Sequence, residues 1–183
     1  MKITSVECSI LDNQFPFVFI ETDEGITGLG ECFRRQPEVT KTVVENILAP
    51  ALMGKDPVNT DKRFQDMVNA GNALEIGGAI WIAIAGLDIA MWDIKGKSLN
   101  LPIYEILGGK IQEKMPVYAS SMKRDLEPKE EAKRAVHFAE QGFRGYKLHS
   151  AVPGKIDDES DQTIETVTEV RRAVGDNYDI LVD

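Results

Sequence analysis

Lys147 and His149 stand two residues apart in the stretch Gly-Tyr-Lys-Leu-His-Ser that runs from 145 to 150. On an extended strand this spacing puts both side chains on one side and Leu148 on the other. A cation beside an imidazole can orient an anionic group or move a proton. Equally, the lysine can reach a rim with its ammonium while the histidine bonds a neighbour. Asp183 closes the run Ile180-Leu181-Val182. A carboxylate there can bind a cation or be an exposed end. In β/α architectures the functional atoms collect at the C-terminal ends of strands. That rule selects Ser120-Ser121, Lys147 with His149, and Asp183.

Other constellations fail. Gly28-Leu29-Gly30-Glu31 lacks the third glycine and the following helix of a dinucleotide fingerprint. Gly108-Gly109-Lys110 lacks the upstream glycine of a phosphate loop. Neither serine pair has a nucleophile-elbow context. Cys8 and Cys32, with His137 and His149, have no metal-ligand spacing. His137 falls mid-helix, on a solvated or partly covered face.

The elements around these residues divide into two rhythms. Alternation over Lys2–Leu11, an aromatic and β-branched run over Phe15–Thr22, and Ile26–Phe33 predict a three-stranded antiparallel meander. Its turns are the short Asp12–Gln14 segment and Asp23-Glu24-Gly25. Val39, Val43, Ile47 and Ala51 then mark one helix face. Asn59-Thr60-Asp61 caps a second helix carrying Phe64, Met67 and Val68, and Gly71 with Gly77-Gly78 bounds a loop. The stretch Ala79 to Lys97 is apolar on most faces, which predicts a helix in the middle of a helical cluster. Asp88 and Asp93 on it are expected to cap or to pair with backbone at its edge.

Pro102 and Gly108-Gly109 mark a boundary, after which strand and helix alternate. Strands are expected at Met115–Ser120, Gly145–Ser150 and Tyr178–Asp183, and helices at Pro128–Gln141 and Ser160–Val174. Glu130 and Glu131 supply first-turn acids to the first of these helices, and Ala132, Ala135, Val136 and Ala139 its inward face. Such alternation implies parallel strands joined by crossovers. The fold class is therefore an antiparallel α+β region followed by a β/α region.

Composition narrows the partners. The 183 residues carry a net charge of -9, with 21 basic against 30 acidic side chains. No basic stripe offsets that balance, so nucleic acid and anionic membrane surfaces are not expected partners. The apolar run from Ile76 to Leu87 is too short to span a bilayer. The opening MKITSVE has no secretory-leader pattern, and a reduced cytoplasmic setting is expected.

Taken in order, several segments resemble the enolase superfamily, in its mandelate racemase/muconate lactonizing enzyme branch. MKITSVE and ETDEGITGLGE are similar to the family's opening strands. AIAGLDIAMWDIKGKSLNLPIYEILGG is similar to its long helix and the turn into the barrel, and is the most specific match. PVYAS, GFRGYKLH and YDILVD resemble the first three barrel strands.

The resemblance implies an α+β cap domain over residues 1–112 and the first part of a β/α (TIM-like) barrel over 113–183. It implies removal of a proton α to a carboxylate, with Mg2+ held on acidic residues at three successive strand ends. Asp183 matches the first of those metal ligands. Lys147 and His149 match a pair that is most often Lys-x-Lys, the first near the substrate carboxylate and the second the base. His149 departs from that pattern, so it either takes the proton or orients substrate while the base comes from across the barrel. About 75 of the 183 residues follow Gly109. A complete barrel takes eight strands and roughly 250 residues. The chain is therefore expected to be a piece of a longer enzyme, homo-oligomeric in its full-length form. Within the family, the short Asp12–Gln14 segment and the pair Arg34 and Arg35 fit a polar, anionic small carboxylate, and dehydration of a sugar (polyol) acid is the expected reaction. The two arginines are read either as surface charge or as substrate contacts. The alternatives are a racemase, epimerase or cycloisomerase, or an inactive assembly module.

Overall fold

A computed structural model describes residues 1–72, 77–149 and 158–183. Two compact units divide the chain, Met1–Ile111 and Gln112–Asp183.

The first unit begins with a meander, β1 (Ile3–Leu11), β2 (Phe15–Thr22) and β3 (Thr27–Glu31), paired antiparallel in the order β1-β2-β3. Asp12 and Asn13 take φ of 50° and 55°, and the Gln14 N–H donates to the Leu11 carbonyl at 2.9 Å. Two left-handed residues in succession give the tight primed turn that suits the twist of a hairpin. The alternation expected along the first strand is broken. The register shifts between Ile3 and Ser5, a bulge that brings Ile3 and Cys8 both into the core.

The helix expected through Val39 and Ala51 runs as α1 (Pro37–Val43), a π-helical stretch at Val44–Leu48, and α2 (Ala49–Leu52). Pro50 follows the wide turn, and its missing N–H removes the bond that would hold ordinary α register there. Next come α3 (Thr60–Gly71), α4 (Ala79–Leu99) and the short α5 (Ile103–Ile106). Residues 73–76 of the expected loop after Gly71 lie outside the described residues.

α4 lies along β3 and against α1 and α3. It is thus a helix on a sheet rather than the centre of a helical cluster, and Trp81 and Ile89 stay exposed within this unit. Val18, Ile20, Leu48, Met67, Ile84, Leu87, Met91 and Ile94 fill the core. Gly28 and Gly30 are explained here. A Cβ on Gly30 would lie 1.9 Å from the Gly86 carbonyl oxygen, and one on Gly28 2.1 Å from that of Ala90. These glycines let a helix backbone sit directly on the strand. Asp93 pairs with backbone as expected. Its Oδ2 accepts from the Leu29 N–H at 2.9 Å and from Lys97 Nζ at 2.7 Å.

The second unit contains β4 (Tyr118–Ser120), α6 (Pro128–Glu140), β5 (Gly145–Leu148), α7 (Thr163–Val174) and β6 (Asp179–Val182). Its sheet is parallel in the order β4-β5-β6, with Ser120 beside Lys147 and Lys147 beside Leu181. Helix α7 starts three residues later than the sequence suggests, with Gln162 at its N-cap, and just ahead of it Asp161 Oδ1 accepts from the Thr163 N–H at 2.9 Å. Ala119, Ala132, Ala135, Tyr146, Leu148 and Val170 form the core between sheet and helices. Ser150, the last residue of one expected strand, lies outside the described residues. Among the described residues no helix is long and apolar enough to cross a membrane.

Candidate functional site

Strand parity sets the site. Tyr146 and Leu148 are fully buried against the helices, so Lys147 and the residue after the strand, His149, face the opposite side of β5. The ladder continues one step beyond β6, where the Asp183 N–H donates to the Leu148 carbonyl at 3.0 Å. Asp183 therefore stands beside His149 at the C-terminal end of the sheet.

The three side chains meet on one atom. Asp183 Oδ2 lies 2.5 Å from Lys147 Nζ and 2.9 Å from His149 Nε2. His149 is buried, Lys147 is partly covered, and the Asp183 side chain is half exposed. The Lys147 ammonium, by hydrogen bond and then by charge, holds the Asp183 carboxyl below the usual range, with His149 and Arg124 adding to the effect. The carboxylate is thus an anionic oxygen donor at neutral pH, as a magnesium ligand must be.

As to a metal, Asp183 fits one position of an oxygen shell. Among the described residues there is no group of three or more His, Cys, Asp or Glu side chains that could hold an ion. Among the described residues, Asp183 alone would fill one position of such a shell and would not complete it, since Mg2+ requires near-octahedral oxygen ligation.

The remaining expected residues hold other positions. Ser121 is buried. Its N–H donates to the Lys147 carbonyl at 2.8 Å and its Oγ accepts from the Lys123 N–H at 3.3 Å, a structural role at the end of β4. Arg34 and Arg35 are exposed between β3 and α1, in the first unit. His137 is exposed and pairs with Gln141.

The sequence does not disclose a buried pair near the site, Glu131 with Tyr146. By residue type Glu131 is a first-turn surface acid, yet it is 4% exposed and its Oε1 accepts from the Tyr146 hydroxyl at 2.6 Å. Burial, then the Glu131 carboxylate, raises the Tyr146 phenol above its ordinary value. A signal exists. Glu131 shares a helix face with Pro128 and Ala135, so its phase is that of the buried stripe.

An antiparallel α+β unit followed by parallel β/α units, with charged side chains gathered at the strand ends, defines the cap-and-barrel class of the enolase superfamily. The family model "Mandelate racemase / muconate lactonizing enzyme, N-terminal domain" matches residues 3–108. The chain belongs to that family. It is 35% identical over 187 residues to D-galactonate dehydratase of Pectobacterium atrosepticum, covering 100% of this chain and 48% of that protein. Among solved structures it is similar to a member of the enolase superfamily from Polaromonas sp. JS666, with TM-score 0.84 and 31% identity over 100% of this chain and 52% of that one. It is also similar to the 3,6-anhydro-D-galactonate cycloisomerase of Zobellia galactanivorans, with TM-score 0.83 and 28% identity over 100% of this chain and 51% of that one. The chain spans about half the length of the curated relatives it matches.

Proposed function

We propose that this chain supplies the cap and the first three barrel strands of a magnesium-dependent dehydratase of sugar acids. The observation that carries the reading is the convergence of Lys147 and His149 on Asp183 at the ends of adjacent parallel strands. The likeness to D-galactonate dehydratase supports a sugar acid as the substrate class.

The chemistry follows from charge. A proton α to a carboxylate is very weakly acidic, because its loss leaves two negative charges on neighbouring atoms. Mg2+, when bound with Asp183 among its ligands, would lower that cost by neutralising the substrate carboxylate. Lys147 would add a fixed positive charge beside the same carboxylate. His149 would take the proton, and loss of the hydroxyl on the next carbon would give a 2-keto-3-deoxy acid after ketonisation. Arg34 and Arg35 would contact the polar end of the substrate. The reading takes the whole protein to be a cytoplasmic homo-oligomer acting on a small carboxylate.

A second reading has one observation in its favour, the likeness to a cycloisomerase. It shares the proton abstraction and differs in the step after it. The test is to incubate the whole protein carrying this chain with Mg2+ and a panel of sugar acids. Formation of a 2-keto-3-deoxy acid from one of them supports dehydration. Turnover to a product that keeps the elements of water supports the second reading instead.

A further inference from the structure

The side of α4 turned away from the sheet is not a polar face. Trp81, Ala85, Asp88, Trp92, Lys95 and Leu99 recur there at alternating intervals of four and three residues, one continuous seam on a helix. Trp81, Ala85 and Leu99 are exposed, and Asp88, Trp92 and Lys95 are half-buried. Ile89, 50% exposed, widens the seam toward Leu29 of β3, 43% exposed. A groove of about 590 Å3 runs beside it, with Leu29, Ile89, Trp92, Ile103 and Leu107 among its lining. A helix apolar on most sides belongs in an interior. Within the first unit this seam has no cover.

Its two charged residues identify the cover. Among the described residues no cation stands beside the Asp88 carboxylate; burial, with Asp61 adding, raises it above its ordinary value. Lys95 has no carboxylate beside it either, and its ammonium rests 4.7 Å from the centre of the Trp92 ring. The two residues share a helix face, yet their spacing in sequence sets them about 10 Å apart along the axis, too far to pair. A purely apolar cover, such as a lipid surface, would leave both charges buried and unpaired, which is unfavourable. A second copy of this chain meets both. When two α4 helices pack antiparallel about a two-fold axis level with residues 91 and 92, Asp88 of each copy comes level with Lys95 of the other. The same operation sets the two Trp92 side chains near the axis and brings Ile89 of each copy toward the groove of the other.

We infer that the outer seam of α4 is a dimer interface, in which two copies pack antiparallel and Asp88 of each pairs with Lys95 of the other. The contact is isologous, so one pairing is made twice. The apolar residues around it exclude water from the two pairs. The inference names the surface for the homo-oligomer of the proposed function and rests on none of its chemistry.

The experiment is sedimentation equilibrium of the whole protein carrying this chain, run as a charge-reversal cycle. Asp88→Lys and Lys95→Asp each set like charges against one another across the axis and should weaken self-association by at least about tenfold. The double reversal restores both pairs and should return the dissociation constant to near the wild-type value. Within one copy the two side chains are too far apart to couple, so such recovery comes only from a contact between copies. Asp88→Asn and Lys95→Met replace any reversal that does not fold, and the double should then be weakened by less than the two singles combined. Asp88→Asn also acts oppositely on the two states. It relieves an unpaired carboxylate in a separate copy and removes a pair from the dimer. Its effect on melting temperature at neutral pH should therefore turn from gain to loss as protein concentration rises through the dissociation constant. A wild type that stays monomeric at every concentration reached overturns the inference and needs no variant to fold. So do single reversals that associate as wild type does, a double as weak as the singles, or a melting gain at every concentration. Turnover plays no part in these readouts. An active monomer refutes only this inference, and an inactive protein with the expected cycle refutes only the functional reading.

Discussion

Replacing Asp183 by Asn keeps the shape of the side chain and removes its charge. A neutral amide is a poor ligand for a hard dication. We expect Asp183→Asn to remove most activity of the whole protein while leaving its thermal unfolding nearly unchanged, because a half-exposed strand-end carboxylate contributes little packing. Activity and melting temperature measured together check this. Lys147→Met should raise the Asp183 carboxyl toward its ordinary range, since the ammonium is the main cause of its depression. A carbon-13 carboxyl titration of wild type and variant reads that shift. Thiol chemistry provides another residue-level expectation. Burial pushes the Cys32 thiol up to about 12 and raises Cys8 as well. Neither should react with a thiol reagent at pH 8 until the chain unfolds, and a stopped-flow trace with and without denaturant checks it. At this scale the site is legible in part. Lys147, His149 and Asp183 can be read because a strand has a period of two and parallel strands end at one side. The Lys147–His149 spacing leaves chemistry and bland packing equally open, and the shared carboxylate oxygen is what only coordinates supply. Glu131 cannot be read from residue type, because a first-turn glutamate is usually solvated and only its phase with Ala135 marks it as buried.

Among the elements, the seat of α4 on β3 is the most exacting contact. Gly30→Ala would place a methyl 1.9 Å from a carbonyl oxygen of the helix, and backbone cannot yield as a side chain does. We expect a loss of at least the 1–3 kcal/mol, roughly, that overpacking costs, read as a lower urea midpoint with an unchanged slope. On the same helix Asp88 is half-buried, and burial, with Asp61 adding, raises its carboxyl above the ordinary value. A raised folded-state value means that the protonated form is favoured by folding. The stability this contributes is full below the unfolded-state value and is lost as pH rises through the folded one. Asp88→Asn should therefore raise the melting temperature at pH 7 and lose that advantage near pH 4. An equal gain at both pH values would contradict the burial account. Most elements here are legible from apolar period and turn residues. Two irregularities are not. The bulge between Ile3 and Ser5 depends on how β2 pairs with β1, and the π-helical turn before Pro50 depends on where the helix finds its core. Both are set by partners distant in sequence, which periodicity does not contain.

For the whole molecule, the order of an antiparallel unit before a parallel one is legible because the connecting rhythm changes after Gly108-Gly109, and the family match covers the first of the two. With Asp183 as the one proposed magnesium ligand among the described residues, this chain should bind the metal weakly by itself. Calorimetric titration of this chain with Mg2+ should find no tight site, and micromolar affinity that disappears in Asp183→Asn would show a complete site among these residues. Removal of a proton α to a carboxylate by His149, with Lys147 beside it, is the central claim. The measurement that tests it is the rate at which the whole protein, with Mg2+, removes the C2 proton of a sugar acid, followed by proton NMR in deuterated water. Wild type should deplete the C2–H signal. His149→Asn should slow that loss by about 10²–10⁴-fold, the usual contribution of a positioned base, and Lys147→Met should also slow it. C2–H loss at the wild-type rate in both variants, or none by wild type on any sugar acid tried, would contradict the claim.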